Sequence, residues 1–175
     1  ISDDAIKLIA RTSEGSVRDA ISLLDRTLIS QPIKGNELIQ ESNVREILGL
    51  ADRTKIISLF KEILIGKEKE ALAYLNEFIN SGLDAKIFLN DILEVLYLFS
   101  RKINLGSIEK DMSVTEEEVR MIDEYSKDID MHDIGLFWQL TIKTIDDLKI
   151  LSNENLALEM YVMQLIHLKN IETKK

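Results

Sequence analysis

Apolar residues recur at spacings of three and four along most of the chain, and glycines interrupt the pattern at about the length of one helix. That periodicity gives each segment one buried helical face, and the breaks separate the segments. Strand signals are scarce: proline occurs once, and no Asn-Gly or Asp-Gly hairpin turn is present. The expected fold is therefore all-α. Helices are expected over 3–12 behind Ser2, over 17–30, and over a short stretch 44–48 ending at Gly49. Longer ones follow over 54–65, 68–80, 84–103 (behind Asp84), 133–149 and 155–169, with an acidic helix capped by Thr115. Residues 31–36 read as a loop and 105–113 as a connection. With 175 residues the chain forms one large domain or two small ones, burying roughly 70% of its extended surface. The division falls at residues 49–51: a small three-helix unit over 1–49, a helical bundle over 50–171, and a tail over 172–175.

The segment from Gly15 to Leu28 says most about function. Gly15 breaks the first helix, Ser16 is a favourable N-cap, and Asp19 three positions later completes an S-x-x-D capping box. Val17, Ala20, Ile21, Leu24 and Leu28 then form the stripe expected to be buried. Arg18 lies at its edge, at the positive end of the helix dipole, where an anion such as phosphate is favoured. The alternative is a surface arginine paired with Asp25 or a neighbouring acid.

This stretch resembles the sensor II segment of the γ/τ subunits of bacterial DNA polymerase III clamp loaders, which are AAA+ ATPases. Gly15, Ser16, Arg18, Asp19, Ser22, Leu23 and Asp25 meet the family pattern G-S-x-R-D-x-x-S-L-x-D, while Arg26 stands where the family usually has glutamine. Leu48-Gly49 resembles the hinge after the lid, and Leu158-Glu159-Met160 resembles part of the closing collar helix. The resemblance implies a three-helix AAA+ lid over 1–49 followed by a ring-forming collar over 50–171. It makes Arg18 the nucleotide-sensing residue, with Ser16 and Asp19 supporting the helix start. ATP with Mg²⁺ would be bound mainly by an upstream core. Other clamp-loader subunits would be met through the collar, and the sliding clamp and primer–template DNA through that core. The start at Ile1 reads as a piece of a longer protein, and the absence of cysteine fits a cytoplasmic one. Two other readings stay open: the lid and tail of another AAA+ ATPase, or a helical interaction scaffold with no nucleotide role.

Charge and composition narrow the chemistry. The net charge is −9, and residues 109–130 hold nine acids against Lys110, Arg120 and Lys127. A solvated acidic helix face is expected there, and no DNA binding by this piece alone, since phosphate contact needs clustered lysine and arginine. Without cysteine there is no disulfide or thiolate zinc site. His132 and His167 share no metal-ligand pattern, so no metal is expected. No P-loop or nucleophile elbow is present, so no catalytic residue is assigned and hydrolysis by this piece alone is not expected. No run of 18 apolar residues would span a membrane. Phe137, Trp138, Met160, Tyr161 and Met163 read as core packing. The nearly all-round apolar helix over 84–103 is expected to bury more surface against neighbouring subunits than within its own chain.

Overall fold

Helices account for every regular element among the described residues. The first three are α1 (Asp3–Thr12), α2 (Val17–Ser30) and α3 (Glu41–Leu48). Then follow α4 (Arg53–Leu64), α5 (Glu68–Asn80), α6 (Ala85–Leu105), α7 (Glu116–Tyr125), α8 (Met131–Asp147) and α9 (Glu154–Glu172). The computed structural model describes residues 1–13, 15–30, 38–48, 52–106, 108 and 114–172. The expected loop at 31–36 and domain boundary at 49–51 lie outside them.

Local sequence sets most helix ends. Ser2, Asp52, Asp84, Thr115 and Asp130 are N-caps whose side chains accept from first-turn amides. At α7 the capping box is complete, Thr115 and Glu118 each serving the other's backbone. Gly106 ends α6 at φ 77°, a left-handed conformation that glycine adopts without a Cβ clash, and its N–H donates to the Lys102 carbonyl at 2.9 Å.

Among the described residues two apolar cores form, and they share no residue. Ala5, Leu8, Ile9 and Val44 make the small one, joining α1 and α3, with Ala20, Leu23 and Leu24 of α2 packed against it. The large one joins α4 to α9. Ile56, Ile57, Leu59, Phe60 and Ile63 of α4 are all fully buried in it, each contributing about 1.5–3 kcal/mol of transfer free energy. The long helix α6 is central to this bundle, and its Phe88, Leu89, Ile92, Val95, Leu96 and Phe99 have no exposure. Its apolar residues are therefore covered by its own chain rather than left for neighbours, with Tyr97 and Leu105 as outward exceptions.

A polar pair sits inside the bundle. The single Thr141 hydroxyl hydrogen goes to the Phe137 carbonyl at 2.7 Å, so the Tyr161 O–H donates to Thr141 Oγ1 at 2.8 Å. Burial pushes the Tyr161 phenol up, with the Thr141 bond opposing it. Phe137 and Tyr161 are core residues as expected, but Trp138 and Met160 face outward. The reason is that α8 and α9 each have one side that no other described helix covers.

Candidate functional site

The turn through Gly15 delivers Arg18 to the surface. Gly15 has φ 85°, and the Ser16 amide donates to the Ser13 carbonyl at 2.8 Å. Ser16 Oγ accepts from the Asp19 amide at 3.3 Å, so the serine caps as expected. The other half of the capping box does not form, because the Ser13 carbonyl has already taken the Ser16 amide. Asp19 instead lies beside Arg18, Nε to Oδ1 at 3.8 Å, longer than a hydrogen bond. Arg18 does not pair with Asp25, and its side chain is 91% exposed. The Ser22 hydroxyl donates to the Arg18 carbonyl at 3.0 Å and keeps that turn closed.

The buried side of α2 differs from the expected stripe. Ala20, Leu23 and Leu24 pack inward together with Thr27, which is fully buried and returns its hydroxyl to the Leu23 carbonyl at 2.8 Å. Val17, Ile21 and Leu28 stand outward, at 74%, 55% and 40% exposure. Hydrophobicity alone did not show that a threonine could take the inward place by bonding to its own helix. On α1 the buried residues are Ala5, Leu8 and Ile9, while Ile6 is exposed. The outcome is an apolar groove of about 350 Å³ between α1 and α2, with Ile6, Ala10, Val17 and Ile21 in its lining. Arg18 is a helical neighbour of Ile21 at this open side.

A second cluster was missed by the sequence reading. Glu118, counted with a solvated acidic face, is buried at 3% side-chain exposure. Its carboxylate lies 3.6 Å from Arg53 Nη1 and 4.0 Å from Arg45 Nη2, and accepts from the Thr115 amide at 2.9 Å. Burial holds its carboxyl above the ordinary glutamate range, with Arg53, the Thr115 bond and Arg45 opposing. The signal was present: Glu118 precedes the buried Ile122 by four, and Arg53 precedes Ile56 and Ile57 by three and four, so both charges occupy inward positions.

With this geometry in place, comparison with known proteins is decisive. The family model described as DNA polymerase III subunits gamma and tau domain III matches residues 39–175. The chain belongs to the DNA polymerase III γ/τ family. A second family model, the ATPase lid domain of the DNA polymerase III clamp loader subunit, matches residues 1–30. Within this γ/τ chain α3 thus falls in the domain III match, although it packs on α1 and α2. Among its relatives is the DNA polymerase III subunit tau of Escherichia coli, 26% identical over 91% of this chain and 24% of its own length. The gamma/tau subunit of Mycoplasma genitalium is 35% identical over 66% of this chain and 20% of its own. The gamma subunit of Buchnera aphidicola from Baizongia pistaciae is 27% identical over 94% of this chain and 44% of its own. The chain thus spans less than half the length of these relatives. No described helix of the γ/τ chain is long and apolar enough to cross a membrane.

Proposed function

We propose that this γ/τ chain supplies the nucleotide-sensing lid and the ring-forming collar of an ATP-driven clamp loader, which places a sliding clamp on primed DNA. ATP with Mg²⁺ would be held mainly by a core outside this sequence, and its hydrolysis would supply the driving energy. The core would also meet the clamp and the primer–template DNA, in keeping with the net charge of −9 here.

The observation that carries the sensing role is the environment of Arg18. Its guanidinium is presented from the first turn of α2 with only the loose, exposed contact to Asp19 at 3.8 Å. The chain offers one cation there rather than an enclosing pocket, which suits a residue that completes a phosphate site built elsewhere. The apolar groove alongside would exclude water once covered, and a drier setting strengthens a charge-assisted hydrogen bond. Such a bond contributes about 1.5–3 kcal/mol, or roughly a 10- to 100-fold effect. Arg18→Ala in the complete clamp loader is expected to lower ATP-dependent loading by that factor at limiting ATP, with assembly intact. Unchanged loading, measured with labelled clamp and primed DNA, would sink the sensing role.

The collar role rests on the outward apolar residues of α8 and α9. Trp138, Ile142, Leu156 and Met160 are 38%, 43%, 57% and 47% exposed. Large apolar and aromatic residues of this kind are frequent anchors of protein interfaces. Trp138→Glu is expected to weaken association with the other subunits by roughly 30-fold or more. Sedimentation of the reconstituted complex reads this directly, and an undisturbed ring would move the interface off α8.

A further inference from the structure

Among the described residues the two apolar cores share no member, and ion pairs join α1–α3 to α4–α9. Arg11 of α1 reaches Glu94 of α6 at 3.6 Å, and Arg45 of α3 reaches Glu118 of α7 at 4.0 Å. Arg53 of α4 lies between the two acceptors, 2.7 Å from Glu94 and 3.6 Å from Glu118. A polar cleft of about 610 Å³, with Lys7, Glu41, Thr115 and Glu117 in its lining, runs along the same seam.

We propose that this row of alternating charges, Arg11–Glu94–Arg53–Glu118–Arg45, is a releasable latch that sets the orientation of the three-helix unit on the bundle. The proposal does not depend on the role of Arg18. Its physical basis is that nearly every charge has a second partner within its own unit. If the units part, Arg45 keeps Glu41 at 2.7 Å. Glu94 keeps Arg53, and Glu118 keeps Arg53 and the Thr115 amide. Arg11, already 30% exposed, passes to water. Opening therefore strands no buried charge, unlike the parting of an apolar seam, which would expose surface to water. Of the two joins, Arg11–Glu94 is solvent-accessible and Arg45–Glu118, at 4.0 Å, is too long for a hydrogen bond. Each is therefore weak but directional, a combination suited to two defined orientations of similar free energy.

The chain contains no cysteine, so two introduced thiols take spin labels uniquely. Asp25→Cys on α2 and Asn76→Cys on α5 place exposed labels on the two units. Pulsed electron resonance on the labelled 175-residue chain then reads their separation. One narrow distribution is expected in ~0.1 M salt, and broadening in ~1 M salt, where the screening length falls from about 10 to 3 Å. Arg11→Gln with Arg45→Gln is expected to raise the population of longer distances about five-fold without added salt. A distribution already broad in the unsubstituted chain at low salt would overturn the latch. So would a narrow one in the double variant with its helix content retained. Should that variant lose helix content, the salt comparison decides: broadening supports the latch, and an unchanged narrow distribution overturns it.

Discussion

Replacing Arg53 with methionine is expected to cost about 3–5 kcal/mol at neutral pH, because it leaves Glu118 as a buried charge without its main partner. The Arg53 side chain is 5% exposed and stands between two carboxylates. Restoring balance by removing the acid as well should recover most of the loss: Arg53→Met with Glu118→Met fills similar space with apolar groups, often neutral or stabilising at such sites. Urea denaturation followed by circular dichroism measures both. A loss below about 1 kcal/mol in the single variant would mean that water reaches Glu118 and the cluster behaves as a surface pair.

The pH dependence of that loss has a definite sign. Native Glu118 holds its proton above the ordinary value of 4.5, chiefly through burial. The native state therefore binds more protons than the unfolded chain between 4.5 and the raised value, and this group's contribution to stability falls as pH rises through that window. Arg53 is the largest influence opposing the rise, so its removal lifts the value further. The deficit of Arg53→Met is then complete only above the variant's own, further raised value and shrinks as pH falls toward 4.5.

The sequence signals that proved reliable were those whose physics is local. Ser2, Asp84 and Thr115 cap because a short oxygen-bearing side chain serves first-turn amides, whatever packs nearby. The inward residues of α4 and α6 follow from their own spacing and from the size of the bundle they enter. What failed depended on a choice between faces. Thr27 lies inside with its hydroxyl on the Leu23 carbonyl while Val17, Ile21 and Leu28 face outward, and Trp138 and Met160 face outward although they match the core in hydrophobicity. Glu118 was hidden for the converse reason. Its partners Arg53 and Arg45 lie 65 and 73 residues earlier in the chain, a separation that no periodicity spans. At the candidate site the sequence placed Arg18 and Ser16 on the helix start, but not the open groove beside them, which depends on how α1 and α2 turn their faces.

Phe60→Ala is expected to remove about 3–5 kcal/mol from the bundle, and where that loss is felt distinguishes a divided fold from a single cooperative one. Phe60 is fully buried and meets Phe99 edge-on, with ring centroids 6.4 Å apart, and stacks with Phe137 at 6.3 Å. Truncation leaves a cavity where α4, α6 and α8 converge and also removes two ring contacts of about 0.5–1.5 kcal/mol each. None of these residues belongs to the core of α1 and α3. Native-state hydrogen exchange should therefore accelerate on the order of 100- to 4000-fold at slow amides of α4, α6 and α8, while those beside Ala5 and Val44 change little. Equal acceleration in both groups would mean that the seam transmits the whole loss and the chain opens as one unit. An ionic seam in which most charges keep a partner after parting cannot transmit several kcal/mol, so the divided pattern is the one that the Arg11–Glu94 and Arg45–Glu118 geometry requires.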